Sequence, residues 1–328
     1  MSAPALSIVL AVTNVGAVRD GSLTCALGAL QQSVAALASG LTCEVIVVLP
    51  EGATALWGDS VADPHVRCVR AEAGALTPVM WGTGLRAATG RVVAFTTAQM
   101  QVSAAWAGAL LGAINTGVDA GVVGTGGPIA LQAPARSARA DARADARADA
   151  RADAAMLVRF HAFLPGRWPR VMSAHDIPGD NAAYLRAHLV EHEDLLRSGF
   201  WEVEFHRRFA RAGKQLLMVP TALATAQGMA DLHALREQRY AHGVAFGIAR
   251  VARHGHSMLR IVLAAPLVPL VLLVRIARGA RAAGVDPRRV RRALPAMLGL
   301  TISWAAGEAV GALRAAAGRG NQVTFAHE

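Results

Sequence analysis

Short β-branched runs alternate with helix-spaced apolar residues through the first half of the chain. That alternation leaves an α/β layer on a mostly parallel sheet as the fold that fits. Ser7–Thr13, Glu44–Leu49, His65–Arg70 and Arg91–Thr97 read as strands, with Gly117–Gly124 a fifth. The Val/Ile runs are nearly continuous, as expected of strands covered on both faces. Between the first two, Leu23, Leu27, Leu30, Val34 and Leu37 recur at helical spacing, with Ser22 as N-cap and Gly40 as the stop. The chain therefore opens on a βαβ unit.

With 328 residues, 53% of them apolar, the chain can bury a sizeable core, which excludes a fibrous or wholly disordered protein. Only 17% of residues are charged, and the mean hydropathy of +0.34 leans toward a protein in contact with lipid. The formal net charge is +10, and its placement matters more than its size. Between Arg275 and Arg292, seven arginines stand against Asp286 alone. Apolar runs without interleaved aromatics flank this cluster, so an anionic membrane surface is the expected partner and nucleic acid is not.

Ile261–Val274 is uncharged and contains Pro266 and Pro269; its fourteen residues span about 21 Å as a helix, short of the ~30 Å hydrocarbon core. An interfacial or re-entrant segment fits it. Leu294–Leu313 is long enough to cross but carries Glu308, so spanning and lying in the interface both remain open. The alternative for the whole tail is a pair of helices packed on the preceding domain, with a solvated basic loop. Arg139–Ala154 is four consecutive copies of Arg-Ala-Asp-Ala, expected as a solvated helix or a disordered insert. Cys25, Cys43 and Cys68 form no CxxC pair, and Met1–Ala5 has no basic leader ahead of the short run Ser7–Val12, so a reducing cytoplasm is expected.

GxSxG, GxxxxGK[ST] and HExxH are absent, which leaves serine hydrolase, P-loop and zincin chemistry unsupported. The sequence offers instead Pro178-Gly179-Asp180-Asn181-Ala182-Ala183-Tyr184-Leu185-Arg186, then Gly199-Phe200-Trp201-Glu202-Val203-Glu204-Phe205-His206-Arg207-Arg208-Phe209, then Ala212-Gly213-Lys214. This constellation resembles the family-two glycosyltransferases over roughly Leu6 to Gly247, the repeat excepted. The apolar tail is similar to that of their membrane-associated bacterial members.

The resemblance implies a GT-A-like fold, α/β with a mostly parallel sheet flanked by helices and a C-terminal helical membrane-associated tail. It divides the chain into a glycosyltransferase domain over 1–230, with the repeat at 139–154 as an insert, and a basic helical tail over 231–328. It implies a nucleotide-sugar donor, a lipid-linked or polysaccharide acceptor, and inverting transfer at the cytoplasmic face of the cell membrane. Glu202 falls where the family has its catalytic carboxylate and Glu204 where it has a second acid; the alternative is a pair of helix-start acids favoured by the dipole. Asp180 and Asn181 would bind sugar hydroxyls, or cap a helix beginning near Ala182. Gln238-Arg239-Tyr240 resembles a short form of the QxxRW segment, so that Arg236, Arg239 and His242 would face phosphates, or simply lie on an amphipathic surface helix. Trp106, Trp168 and Trp201 suit either the core or sugar stacking. Arg19 and Asp20, after the first strand, carry little information.

The departures from the family fall on the nucleotide side. After Arg91–Phe95 the acidic pair for Mg²⁺ or Mn²⁺ is replaced by Thr96-Thr97-Ala98-Gln99, so the usual metal carboxylates are missing and no metal residue is assigned. The second strand ends Leu49-Pro50-Glu51, with Glu51 as a partial substitute for the acids that hold nucleobase and ribose. Gln227 stands near a position where many members have histidine. A second reading follows, in which the chain is a catalytically inactive glycosyltransferase-like module serving as a membrane-bound partner or binding subunit.

Overall fold

The computed structural model describes residues 4–13, 21–38, 40–53, 65–131, 142–227 and 231–318. Arg19 and Asp20 lie outside the described residues, as does the start of the repeat. The chain divides into two compact units, one made of Met1–Gln132 with Pro165–Gln227, the other of Ala133–Leu164 with Gly228–Glu328.

The elements run β1 (Leu6–Ala11), α1 (Ser22–Ala35), β2 (Cys43–Pro50), β3 (Val66–Ala71), α2 (Thr77–Ala87), β4 (Val92–Thr97), β5 (Met100–Val102), α3 (Trp106–Gly117), β6 (Val122–Gly126) and β7 (Ile129–Ala130). They continue with α4 (Ala142–Phe160), β8 (Met172–Ala174), β9 (Ala182–Leu185), α5 (Arg186–Val190), α6 (Glu193–Leu196), α7 (Glu202–Arg211), β10 (Gln215–Met218) and β11 (Ala224–Ala226). The last four helices are α8 (Leu232–Ala252), α9 (Met258–Ala264), α10 (Val268–Ala282) and α11 (Pro287–Ala316).

In the first unit, eight strands form one sheet in the order β3-β2-β1-β4-β9-β6-β10-β8. β9 runs antiparallel to both neighbours, β4 and β6, and β8 runs antiparallel to β10; the remaining pairings are parallel. The expected class, α/β with a mostly parallel sheet flanked by helices and a helical C-terminal part, is the observed one. All six residues of β1 and of β4 are buried, which explains why their sequences read as largely apolar runs. β5, β11 and β7 form a separate three-stranded sheet.

Two local expectations are corrected. Ala182–Leu185 is a strand and not the start of a helix, because its four buried residues fill the gap between β4 and β6 and take ladder hydrogen bonds from both. Helix formation begins only at Arg186. The fifth predicted strand starts later than expected: Gly117 closes α3, a 3-10 turn covers Val118–Ala120, and the strand begins at Val122.

In the second unit, α8 and α11 pack with their backbones in contact. A β-carbon on Gly247 would lie 2.1 Å from the Glu308 carbonyl oxygen, and one on Gly311 would lie 2.1 Å from that of Val244. Gly243 and Gly307 make the same kind of approach to Trp304 and Tyr240. Each helix therefore presents glycines four residues apart at the crossing, where any side chain would force the axes apart. Buried Glu308 pairs with Arg250 across the same interface.

The Arg-Ala-Asp-Ala repeat belongs to this helical unit. Its described copies are helical in α4, exposed at Ala146–Ala148 but buried from Asp153 onward, where Ala154, Ala155, Met156 and Leu157 join the packing. Asp153 takes a two-pronged ion pair from Arg289 of α11. The sequence alone places the repeat as an insert in the first domain; the apolar residues that follow it and this ion pair attach it to the tail helices instead.

Candidate functional site

An aromatic cluster fixes the site. Phe95 of β4 stacks on Phe200 with ring centroids 4.3 Å apart, and Phe200 also meets Phe205 at 4.9 Å and Tyr184 at 5.3 Å. Phe200 is fully buried, and its N–H donates to the Pro78 carbonyl at 2.7 Å. Gly199 supports that approach with φ +100; a β-carbon there would lie 2.7 Å from the Pro78 oxygen. The loop before α7 is thus pinned to α2 and the sheet, so the residues that follow emerge at a defined place.

Those residues are Trp201 and Glu202. Glu202 is the first residue of α7, partly exposed, where the positive end of the helix dipole stabilises a carboxylate. A β-carbon on Gly179 would lie 3.1 Å from the carboxyl carbon of Glu202 and 2.8 Å from the ring of Trp81. Trp81 in turn donates its indole N–H to the Thr96 carbonyl at the end of β4, 3.0 Å away. A chain of direct contacts therefore links Glu202, Gly179 and Trp81 to the C-terminal end of β4. Consecutive strand residues face opposite sides, so Thr97 shares the face of β4 on which Phe95 meets Trp81 and Phe200. Among the described residues its hydroxyl, which is buried, has no hydrogen-bond partner, and the same holds for Thr96.

The other predicted residues separate. Asp180 is nearly buried in the turn after Gly179. Asn181 is fully buried, and its amide is committed to structure: Oδ1 accepts from the Trp106 indole, while Nδ2 donates to the carbonyls of Pro128 (3.0 Å) and Ala222 (2.9 Å). The expectation that Asn181 binds sugar hydroxyls is therefore corrected; it ties α3 and two loops together. Trp106, fully buried, is its core partner.

Glu204 pairs with Arg207 one turn on, at 3.1 Å. Glu51 stands exposed just after β2. Arg239 lies in the helical unit with its guanidinium over the Trp304 ring, 4.4 Å from the centroid, and half-buried His242 lies on the same helix with its Nε2 buried. Within that unit Arg239 is engaged in cation–π packing.

The segment where the resemblance would put a metal motif is well defined. Thr13 donates to the Gln99 amide oxygen at 3.3 Å, and the Gln227 N–H donates to the Gln99 carbonyl at 2.7 Å. Thr96–Gln99 and Gln227, where the resemblance implies an acidic pair and a histidine, are therefore neighbours in space. They supply hydroxyls, amides and the buried methyl of Ala98 but no carboxylate. Mg²⁺ and Mn²⁺ require hard anionic oxygen, so this donor set does not fit them. Among the described residues, no group of three or more His, Cys, Asp or Glu side chains is placed to hold a metal.

Sequence reasoning missed a hydrogen-bonded chain near Glu202, buried at Tyr184 and His206 and reaching the surface at Asp176. Tyr184 and His206 are 2.8 Å apart (Oη to Nε2), and His206 Nδ1 lies 3.1 Å from Asp176 Oδ1. Burial, together with the charges of Glu202 and Asp176, holds the Tyr184 phenol well above its ordinary value. Burial also lowers His206, although the Asp176 carboxylate pulls the other way. A neutral imidazole in this setting donates from Nδ1 to Asp176 and accepts from the tyrosine at Nε2. Tyr184 and His206 sat in the quoted motifs, but the pairing joins a strand to a helix and has no signal in sequence.

No protein-family model matches the chain, and no curated protein does. Among solved structures, the mannosyltransferase PcManGT from Pyrobaculum calidifontis, in complex with GDP-Man and Mn²⁺, is similar at 18% identity, with 97% of this chain and 76% of that one covered and a TM-score of 0.44.

Proposed function

We propose that the chain is a glycosyltransferase acting at a membrane surface, with Glu202 as the general base. One observation carries the reading: the Glu202 carboxyl sits at a helix N-terminus against Gly179 and Trp81, joined by direct contacts to the C-terminal end of β4. Crevices at the carboxyl ends of parallel strands are where open α/β sheets bind ligands. In the proposed reaction the carboxylate takes the proton of an acceptor hydroxyl as its oxygen bonds to the anomeric carbon. The bond from that carbon to the donor diphosphate breaks on the opposite face, giving inversion. In this reading the Thr97 hydroxyl, on the same face of β4, would donate to the bound donor.

Since the residues at the end of β4 do not fit a divalent cation, the leaving diphosphate is held in this reading by N–H and O–H donors alone. Calorimetry with nucleoside diphosphates, with and without Mn²⁺, tests it: micromolar binding is expected, unchanged by EDTA. Absence of binding under both conditions would favour the second reading, a silent module, for which the lost carboxylates at Thr96–Gln99 are the specific support.

Membrane attachment through the tail is part of the proposal. Leu259, Leu263, Leu267 and Leu270 are each at least 60% exposed, and Leu294, Leu298 and Ile302 form an exposed stripe on α11. From Met258 to Ala316 nine arginines accompany these residues, against only Asp286 and Glu308. By length and composition α11 can cross a membrane, whereas α9 and α10 are bent by 68° at their break, where Pro266 lies. With 44% of its most apolar window buried, α11 has one face occupied by neighbouring helices, which favours a tail lying along the cytoplasmic interface. A lipid-linked or cell-envelope acceptor would reach the enzyme there.

A further inference from the structure

We infer that the cavity between α8, α9 and α11 is a seat for the phosphate of an anionic phospholipid, a site that rests on the membrane-surface reading and makes it specific. The cavity measures about 420 Å³. Its lining is mixed: Arg250, His256, Ser257 and Arg260 supply cationic and polar groups together with the Glu308 carboxylate, and Ile261, Ala264 and Val268 are apolar. A headgroup with its attached chains has the same mixed character.

Arg250 is held in place by the buried carboxylate of Glu308, and its guanidinium carries more N–H donors than that one ion pair consumes. Arg260 adds a second guanidinium, so the lining has two cationic forks against one carboxylate. Paired guanidinium groups match phosphate oxygens by geometry as well as by charge.

The position of Arg260 favours a lipid phosphate over a free one. It lies between Leu259 and Leu263, which are 60% and 69% exposed, with Leu267 (63%) at the following bend. An arginine among exposed leucines runs its methylenes along the apolar layer and delivers its charge at headgroup level. A soluble anion would gain nothing from those leucines. The exposed arginines of α10 and α11, Arg275, Arg278, Arg281, Arg288, Arg291 and Arg292, attract anionic lipid generally, whereas the cavity gives one lipid a defined place.

Calorimetry on the full chain with dihexanoyl phosphatidylglycerol, kept below its micelle concentration, separates the cavity from general surface attraction. Saturable one-to-one binding is expected, weakened about tenfold or more by Arg260→Gln, a loss in proportion to removing one charge-assisted phosphate contact. Arg281→Gln, on the exposed basic surface, should leave this binding unchanged, and dihexanoyl phosphatidylcholine should bind more weakly. Equal losses for the two variants, or no saturable binding, would overturn the site. Competition by inorganic phosphate at the affinity of the lipid would overturn the lipid assignment. Cosedimentation with phosphatidylglycerol vesicles, run in parallel, tells the failures apart: vesicle binding without one-to-one binding removes only the cavity, whereas loss of both removes the membrane-surface reading too.

Discussion

The Glu202 carboxyl carbon lies 3.1 Å from where a β-carbon on Gly179 would stand, with the ring of Trp81 at 2.8 Å from the same point. Gly179 is thus the spacer that lets a carboxylate and an indole converge at the end of β4. Gly179→Ala should displace the Glu202 side chain and lower turnover about tenfold or more, since small misplacements at a reacting centre are costly. Donor affinity should change much less. A kcat equal to that of the parent would show that this contact does not set the position of the base.

Removing the proton acceptor while keeping its shape isolates the chemistry. Glu202→Gln should reduce kcat by about 10²- to 10⁴-fold, the usual range for a general base, with an unchanged melting temperature and donor Kd. Turnover within twofold of the parent would eliminate Glu202 from that role.

Asn181 makes the opposite prediction. Its side chain joins the Trp106 indole and the carbonyls of Pro128 and Ala222, so Asn181→Ala leaves one donor and two acceptors buried without their partner. Each such loss costs about 1–3 kcal/mol, so urea unfolding should show a loss of at least about 2 kcal/mol. A raised acceptor KM at full stability would restore the sugar-ligand role that the structure argues against.

The helical unit depends on backbone contact. Gly247→Val places its side chain into the Glu308 carbonyl, where a β-carbon already approaches to 2.1 Å. The expected destabilisation is about 3 kcal/mol, at the upper end of overpacking, and should be visible in thermal unfolding. Gly112→Ala is the control, since nothing lies within 4 Å of a β-carbon at that helical position of α3. It should leave stability unchanged or raise it by up to about 1 kcal/mol through helix propensity. Equal melting temperatures for the two variants would show that α8 and α11 do not need glycine where they cross.

His242 sets a pH dependence. Burial, with the charges of Arg239 and Arg159 adding to it, pushes its pKa down to about 3. Its value in the unfolded chain is about 6.5, so below that pH the unfolded state binds the extra proton. Stability should therefore fall as pH drops from about 6.5 toward 3. In melting curves between pH 7 and pH 4, His242→Gln should flatten this dependence; an identical slope in the variant would assign the acid sensitivity to other groups.

Much of the fold was legible along the chain because β1, β2 and β4 are covered on both faces and so carry their signature as predominantly apolar runs. β9 was not legible: Ala-Ala-Tyr-Leu has no strand periodicity of its own and is extended only because β4 and β6 supply hydrogen bonds on either side. The candidate base was readable from its place after Gly199-Phe200-Trp201, yet Trp81, Thr97 and the Tyr184–His206–Asp176 relay were not, since each reaches the site from a different element. The tail illustrates the same limit. Its apolar segments and arginines were evident, while Gly243, Gly247, Gly307 and Gly311 acquire meaning only once two helices cross at them.

By itself, then, the sequence determined the α/β class, the strands at the centre of the sheet, the basic helical tail and the absence of carboxylates from Thr96 to Gln99, because these are properties of composition, local period and residue identity. Tertiary structure alone decided that Asn181 is a structural tie, that the last Arg-Ala-Asp-Ala copies join the tail helices, and that Glu202 meets Gly179 beside Trp81. Those outcomes depend on which side chains arrive at one point from distant parts of the chain, and no local pattern encodes that.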